Sequence, residues 1–229
     1  MRASAVLFDK DGTLFDFQKT WGKWLASEIE LLANGDVQVM VKLAEVLGYD
    51  LENRLIRPES ILVAGTSSQA ASAILPLLPD HTHQSLVDGG NERAALVDPV
   101  CVLPLDPFLR ELAEMGLTLG VATNDAEVAA RRQLDGLGVT AHFEYLVGYD
   151  SGYGAKPDPG MCSAFAVQTG FEPQDIVMVG DSLHDLHAGR SAGMQTVAVL
   201  TGTATADDLR DHADVVLADI SELSVWVST

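Results

Sequence analysis

The chain has 229 residues, 47% of them hydrophobic, and its 33 acidic and 14 basic side chains give a formal charge of −19. Such a surface repels phosphate groups, so we expect neither nucleic acid nor an anionic membrane as a partner. The sequence has no run of about 18 uninterrupted apolar residues, the length that a membrane-spanning helix needs. The apolar stretch before Asp9 is too short for a secretory signal. Two isolated cysteines, Cys101 and Cys162, are predicted to be buried, unpaired thiols, as in a cytoplasmic protein.

Short apolar runs that end at charged or small residues predict strands. These runs cover residues 3–8, 117–123, 145–150, 175–181, 195–202 and 213–219. Between them, segments with helical spacing, capping residues and glycine stops predict helices. These segments cover residues 106–116, 125–138, 159–170 and 183–193. The alternation of strands and helices predicts an α/β fold with a mostly parallel sheet and helices on both of its faces.

The alternation breaks between the first two predicted strands. Helical spacing of apolar residues recurs in segments 16–35, 36–48, 68–78 and 83–97. We therefore expect residues 17–98 to form a small helical insertion, a lid or cap, on a core made of residues 1–16 and 99–229. Ligands of open parallel sheets bind at the carboxyl ends of the strands, where the charged motifs of this sequence fall.

Acidic residues follow the first and fourth predicted strands. In "FDKDGTLFD" (8–16), Asp9 and Asp11 are two residues apart, so we expect them to share a face and Lys10 to point away from both. Two adjacent carboxylates need a cation or a shared proton. In "VGDSLHD" (179–185), Asp181 ends a strand and Asp185 falls in the first turn of the next helix. An oxygen-only set of this kind suits Mg²⁺.

Two more predicted strand ends carry groups suited to an anion. Thr123 supplies a hydroxyl at the end of "VATN" (121–124), and Asn124 stands near a predicted helix start. Lys156 in "GAKPDP" (154–159) lies just before a proline-led helix. Because helix N-termini bind anions, we expect these residues to face a phosphate-like group.

Taken in order, these four segments resemble the four motifs of the haloacid dehalogenase superfamily. The length of the insertion and the tail "AGRSAGM" (188–194) are most similar to the phosphoglycolate-phosphatase-like branch, which has a helical cap. The resemblance covers residue 6 to about residue 200, while the 17–98 insertion matches only in position and helical character. It implies a Rossmann-like parallel sheet core with an inserted α-helical cap domain.

The resemblance also implies catalytic roles. Asp9 would be the nucleophile that forms an aspartyl-phosphate, and Asp11 would protonate the leaving alcohol and then activate water. Thr123 and Lys156 would complete the catalytic set by binding the phosphoryl oxygens, with Asn124 beside them. The carboxylate at position 11 is typical of members that hydrolyse the intermediate rapidly.

A magnesium site is implied by the same motifs. Asp9, Asp181 and the backbone carbonyl of Asp11 would hold the ion, and Asp185 would orient a metal-bound water from outside the ligand set. Mg²⁺ would cancel the repulsion between a carboxylate nucleophile and a dianionic substrate.

The function predicted on this basis is Mg²⁺-dependent hydrolysis of a small phosphorylated metabolite, with phosphoglycolate as one candidate. Two alternatives stay open, a sugar-phosphate phosphomutase and a non-catalytic phosphate-binding protein on the same fold. The sequence is compatible with a monomer or a homodimer.

Residues of the insertion are harder to assign from the sequence. The aromatic residues are expected to form the core of the cap, the alternative being that one of them lies over the substrate; they are Phe17, Trp21 and Trp24. Three basic residues are candidates for holding a substrate carboxylate or second phosphate, although each alone is more typical of a surface; they are Arg54, Arg57 and Arg93.

Three further polar residues have predicted structural roles. Asp16 is expected to close the turn after Asp11 by accepting a backbone hydrogen bond. His184 and His187 are three residues apart on a predicted helix, and we expect them to lie on its surface.

Overall fold

The computed structural model describes residues 2–229. Its strands in chain order are β1 (Ala5–Phe8), β2 (Tyr49–Asp50), β3 (Leu55–Ile56), β4 (Thr118–Ala122), β5 (Tyr145–Val147), β6 (Ile176–Gly180), β7 (Gln195–Val199) and β8 (Val215–Leu217). The main sheet is parallel and has the order β5-β4-β1-β6-β7-β8, while β2 and β3 pair as a short antiparallel hairpin. The predicted parallel sheet is confirmed at each of the apolar runs.

Helices account for most of the remaining ordered chain. They are α1 (Phe17–Ala33), α2 (Val37–Val46), α3 (Ile61–Ala64), α4 (Ser67–Ile74), α5 (His83–Ala94), α6 (Leu105–Glu114), α7 (Glu127–Gly136), α8 (Gly160–Thr169), α9 (Leu183–Ser191), α10 (Ala206–Leu209) and α11 (Leu223–Ser228). The predicted helices are all present. The sequence patterns missed the β2–β3 hairpin, α3, α10 and α11, because segments this short show no clear periodicity. Within residues 2–229, no helix has the length and hydropathy needed to cross a bilayer.

Both faces of the sheet are covered by helices, as predicted. Along β1, Val6 and Phe8 enter a buried cluster that includes residues of α6 and α7, whereas Ala5 and Leu7 enter a cluster with α8. Successive strand residues point to opposite faces, so a strand that is buried on both faces has a continuous run of apolar residues in the sequence. Both cysteines are free, Cys162 being buried and Cys101 only half-buried, so the prediction of burial was wrong for Cys101.

Helices α1 to α5 and the β2–β3 hairpin have a hydrophobic cluster of their own. Along α1 its fully buried members include Leu25 and Ile29, which follow each other at the i, i+4 spacing of one helix face. The buried members of this cluster all belong to residues 17–94. The division of the chain into a core of residues 1–16 and 99–229 and a cap of residues 17–98 stays a prediction, which this separate cluster supports.

Asp16 starts α1. Its Oδ1 accepts a hydrogen bond from the Lys19 N–H at 3.0 Å, and its own N–H donates to the Val100 carbonyl at 2.8 Å. The predicted side-chain-to-backbone bond is therefore confirmed, but it caps the helix rather than the turn after Asp11. The second bond ties the start of α1 to the chain that returns toward α6.

Replacing Ile29 by alanine should destabilise the cluster of α1 to α5. Ile29 is 0% exposed, so its truncation leaves a cavity, and we expect the free energy of unfolding to fall by about 2–5 kcal/mol. Leu31 lies two residues away on the same helix and is 56% exposed, so Leu31→Ala should change stability by no more than about 0.5 kcal/mol. Urea unfolding of both variants measures the difference. Equal losses would contradict the burial of this face.

Candidate active site

Polar groups at three strand ends lie side by side. Asp9, Thr123 and Asp181 directly follow β1, β4 and β6, and β1 pairs with both of the other strands. The Asp9 N–H donates to the Val179 carbonyl at 2.8 Å, and the Thr123 N–H donates to the Val147 carbonyl at 3.1 Å. The backbone ladder thus continues into these positions and fixes them at the edge where open α/β sheets bind ligands.

The Lys156 ammonium joins several of these elements. It lies 2.5 Å from Asp9 Oδ1 and 2.6 Å from Asp185 Oδ1, and it donates to the Ala122 carbonyl at 2.8 Å. Lys156 is 4% exposed, and both carboxylates are also buried. An ammonium has three donors, and here each has an acceptor. The position of Lys156 is therefore set by β1, β4 and α9 together.

Burial and mutual repulsion perturb the charges of this cluster. Burial raises the pKa of Asp9 to about 7. The attraction of Lys156 opposes this rise, and repulsion from Asp185 and Asp11 adds to it. Burial, and then repulsion from Asp185 and Asp9, raises the pKa of Asp181 well above its ordinary value. Burial would lower the pKa of Lys156, but Asp185 and Asp9 raise it above the ordinary value. One ammonium does not balance these carboxylates, so the site favours a further cation.

Asp185 is held from two sides. Its Oδ2 accepts hydrogen bonds from the Ser182 N–H at 3.0 Å and the Ser182 hydroxyl at 2.6 Å, which closes the first turn of α9. Its Oδ1 contacts Lys156. Both oxygens of Asp185 are therefore engaged, and its predicted role of orienting a metal-bound water stays a prediction.

Asp9, Asp181 and Asp185 each offer one carboxylate oxygen within 4.8 Å of the others, close enough to surround a metal ion. Asp9 and Asp181 belong to the predicted ligand set, whereas Asp185 was predicted to lie outside it. The set offers only oxygen atoms, is buried, and carries more negative than positive charge. These are the properties that hard divalent cations such as Mg²⁺ require of a protein site. The donor set therefore fits the predicted metal.

Two glycines allow loops to close around Asp181. A Cβ atom at Gly12, whose φ is +87°, would lie 2.4 Å from Asp181 Oδ2, and one at Gly202 would lie 1.6 Å from the same atom. The loops are also tied to each other, because the Thr201 hydroxyl donates to the Gly12 carbonyl at 2.6 Å. Any side chain at either position would clash with the Asp181 carboxylate and displace it.

Lys10 does not point away from the carboxylates, and the prediction from strand alternation was wrong. Its ammonium lies 2.5 Å from Asp11 Oδ2 and 3.2 Å from Asp125 Oδ2, and it donates to Gln133 Oε1 at 2.8 Å. The reason is local geometry, since β1 ends at Phe8 and the alternation of side chains does not extend past it. Lys10 is fully buried and supplies the positive charge beside Asp11.

Asp11 is further fixed by an aromatic residue of α1. The Trp21 indole N–H donates to Asp11 Oδ1 at 2.6 Å, while Asp11 Oδ2 contacts Lys10. The Lys10 ammonium also lies 5.3 Å from the centroid of the Phe15 ring and 5.3 Å from that of the Trp21 ring, within cation–π range. Asp11 and Asp9 are thus held by different cations, although they are only two residues apart.

Thr123 and Asn124 differ in what their side chains contact. The Thr123 hydroxyl is buried and accepts from the Asp125 N–H at 3.0 Å. The Asn124 side chain donates to the carbonyls of Ala64 and Lys156 at 2.7 and 2.8 Å, and it accepts from the Lys156 N–H at 2.8 Å. The carboxamide of Asn124 therefore positions the Lys156 backbone. A phosphate contact from Asn124 stays a prediction. Because the side chain is already engaged, the backbone N–H of Asn124 would have to make that contact.

A cavity lies between the strand ends and the helices of residues 17–98. Its core wall contains the predicted site residues, namely Asp9, Asp11, Thr123, Asn124, Lys156, Asp181 and Asp185. The opposite wall is mainly apolar and includes Phe17, Trp21 and Trp24. These aromatic residues belong to the hydrophobic cluster, as expected. They also line the cavity, so the alternative that one of them lies over the substrate stays a prediction.

The polar residues proposed for the insertion lie elsewhere. Arg54 and Arg57 are exposed and are not among the residues lining the cavity. Arg93 forms a two-pronged contact with Glu28, with Nε at 2.6 Å from Oε2 and Nη2 at 2.5 Å from Oε1. Within residues 2–229, the expectation that one of these arginines faces the ligand is therefore not met.

The two histidines of α9 differ in position. His187 is exposed and lies 3.1 Å from His212, as expected for a surface residue. His184 instead lines the cavity and is only partly exposed, and burial lowers its pKa. The prediction of a surface role was wrong for His184, because α9 begins at the edge of the cavity.

Sequence reasoning missed several groups that support the predicted residues. They are Asp125, Gln133, Ser182, Thr201 and Gly202. The adjacency of Asp125 to the predicted Asn124 was a usable signal. Gln133 and Lys10 are 123 positions apart in the sequence, and Thr201 and Gly12 are 189 positions apart. No local sequence pattern indicates either contact.

Comparison with known proteins agrees with this geometry. The family model for haloacid dehalogenase-like hydrolases matches residues 3–193. The chain is 31% identical to a Mycobacterium tuberculosis protein named tyrosine-protein kinase PtkA, over 95% of this chain and 70% of that one. It is 30% identical to a phosphoglycolate phosphatase of Xylella fastidiosa, over 98% and 94% of the two chains.

Solved structures show the same fold. A HAD phosphatase from Thermococcus onnurineus superposes with a TM-score of 0.67 over 98% of this chain and 97% of that one, at 21% identity. The ordered motifs, the sheet topology, the family match and this superposition agree, and the chain belongs to the haloacid dehalogenase-like hydrolase family.

Proposed function

We propose that the chain is a Mg²⁺-dependent phosphomonoester hydrolase that works through an aspartyl-phosphate on Asp9. The observation that carries the proposal is the buried contact of Asp9 with Lys156, beside Asp181 and at the floor of a cavity. Membership in a hydrolase family and the phosphatase names of relatives support the same activity.

Asp9 is the candidate nucleophile. A carboxylate oxygen of Asp9 attacks phosphorus, the ester P–O bond breaks, and the leaving oxygen takes a proton from Asp11. Water then attacks the acyl phosphate, with Asp11 as the base, and releases inorganic phosphate. Lys156 and the Thr123 hydroxyl lie on the same floor and would bind the equatorial oxygens of the phosphoryl group.

The metal would be held by Asp9, Asp181 and the Asp11 backbone carbonyl, with Asp185 outside the ligand set. When bound, Mg²⁺ supplies positive charge that offsets repulsion between the nucleophile and a dianionic phosphate. Lys156, which is buried and contacts Asp9, would contribute positive charge to the same task.

Residues 17–98 would act as a cap over this site. Their contacts with the core include two at the cavity, the Trp21 hydrogen bond to Asp11 and the bond of the Ala64 carbonyl with the Asn124 side chain. Exchange of a substrate requires these contacts to open, and closure excludes water during the first step. Closure also brings Trp21 onto the residue that moves the proton.

The substrate would be a small phosphorylated metabolite. Phosphoglycolate is a candidate because relatives carry that name, and its carboxylate would need a cation in the cap wall. Analysis of the products separates hydrolysis from the alternatives. A phosphomutase would give an isomeric phosphate ester, transfer to tyrosine would give a phosphoprotein, and a binding protein would give no turnover.

Asp9→Asn should abolish phosphate release, because an amide is a poor nucleophile and a weaker metal ligand. We expect a loss of at least about a thousandfold in kcat, measured with 4-nitrophenyl phosphate and Mg²⁺. Asp16→Asn is the matched control, since asparagine caps helices about as well as aspartate. Wild-type turnover in Asp9→Asn would contradict the assignment of the nucleophile.

Removal of divalent cations by EDTA should stop phosphate release, and added Mg²⁺ should restore it. Binding can be measured independently, because an ion that binds only the folded protein raises the midpoint of thermal unfolding. Mg²⁺ should raise the midpoint of the wild type, and Asp181→Asn should reduce this shift. Full activity in EDTA, or an undiminished shift in the variant, would contradict the metal site.

Lys10→Met should impair activity, in contrast to the expectation from strand alternation. The change leaves the partly buried Asp11 and Asp125 without their cation, and breaking a buried ion pair costs about 3–5 kcal/mol. We expect kcat to fall by more than about tenfold, which corresponds to 1.36 kcal/mol in the barrier. The control Lys19→Met removes an exposed pair with Asp16 and should be close to neutral. Equal activities of the two variants would show that Lys10 does not matter for Asp11.

A further inference from the structure

The two walls of the cavity differ in chemistry. The core wall carries the acids, Lys156 and the Thr123 hydroxyl, whereas the wall from residues 17–98 is mainly hydrocarbon and indole. Representative residues of this apolar wall are Trp21, Trp24, Leu25, Ile56, Val63 and Leu86. The phosphoryl group belongs at the core wall, so the rest of a substrate must lie against the apolar wall.

Among the described residues, the apolar wall offers a second anion neutral donors such as Ser67 and Asn91 but no cation. Among residues 2–229, no lysine or arginine of the 17–98 segment lines the cavity. The charged residue that this segment does contribute is Glu28, and both of its oxygens are engaged by Arg93. A substrate carboxylate placed here would lose water without gaining a cation, which is costly in an apolar setting.

Trp24 offers a hydrogen bond that no protein group takes. Its side chain lines the cavity, and its indole N–H is buried with no acceptor among residues 2–229. The neighbouring Trp21 is different, because its N–H donates to Asp11. The two rings meet edge to face, with centroids 5.2 Å apart and planes at 79°. Buried donors are nearly always paired, and leaving one unpaired costs about 1–3 kcal/mol.

We propose that this site takes phosphomonoesters of neutral, largely apolar alcohols or phenols that carry one hydrogen-bond acceptor for the Trp24 N–H. The inference rests on the proposed function and specifies its substrate class. The leaving group packs on the indole and aliphatic wall, its acceptor atom meets Trp24, and its ester oxygen lies near Asp11. The reaction is the hydrolysis already described and needs no further reactant.

A pair of esters of similar shape tests the charge preference. We expect kcat/KM for 4-acetylphenyl phosphate, which is neutral beyond its phosphate, to exceed that for 4-carboxyphenyl phosphate by at least about a hundredfold. Phosphoglycolate should also be poorer than the neutral aryl ester. Val63→Arg places a cation in the apolar wall. It should raise kcat/KM for 4-carboxyphenyl phosphate and so reduce the ratio of the kcat/KM values of the two esters.

The acceptor is tested with Trp24→Phe, which removes the N–H and keeps an aromatic ring. The variant should lose about tenfold in kcat/KM with 4-acetylphenyl phosphate and no more than about twofold with phenyl phosphate, which lacks an acceptor. Val167→Phe is the control, because Val167 lies at an exposed position of α8 away from the cavity. This variant should leave kcat/KM unchanged with both esters.

Failures of the two proposals are distinguishable. If phosphoglycolate or 4-carboxyphenyl phosphate is the better substrate of the wild type, the inferred substrate class is overturned while the phosphatase activity stands. If Trp24→Phe affects both neutral esters equally, the role of its N–H is overturned. If no ester releases phosphate in the presence of Mg²⁺, the proposed function fails and the inference fails with it.

Discussion

The contact of the Lys156 ammonium with Asp9 and Asp185 is the interaction on which the rest of the site depends. It is buried, and its partners come from the end of β1 and the first turn of α9, while the Ala122 carbonyl of β4 takes the remaining donor. Without this ammonium, the fold would bring several carboxylates together in a poorly solvated place. With it, the cluster still carries more negative than positive charge, which favours binding of the metal ion proposed above.

A second buried lysine separates the roles of two neighbouring acids. Asp9 shares Lys156 with Asp185, whereas Asp11 is held by Lys10 and by the Trp21 indole. Two carboxyl groups in different surroundings can perform different chemistry, which supports the proposal that Asp9 attacks phosphorus and Asp11 transfers the proton. Because Trp21 belongs to α1, the geometry of Asp11 depends on the helices that cover the cavity. On the proposed mechanism, closure of those helices would also position the residue that transfers the proton.

Local patterns predicted the strands, most helices and the acids at the strand ends, because each of these depends on neighbouring residues. The orientation of Lys10 was predicted wrongly, because the alternation of strand side chains was extended to residues beyond Phe8, where β1 ends. Arg54 and Arg57 are exposed, as is typical of single arginines, but the pairing of Arg93 with Glu28 spans 65 positions and has no local signature in the sequence. The indole N–H of Trp24 shows the same limit, because only the folded cavity reveals that it lacks an acceptor.

The central claim is that a phosphoryl group is transferred to Asp9 itself. An acyl phosphate is reduced by borohydride to an alcohol, so trapping during turnover would convert the phosphorylated aspartate to homoserine. Proteolysis and mass spectrometry of the wild type, quenched into borohydride with a good substrate, should locate homoserine at position 9 and leave Asp11 and Asp16 unmodified. Modification at another residue, or unmodified Asp9 during demonstrated turnover, would contradict the account.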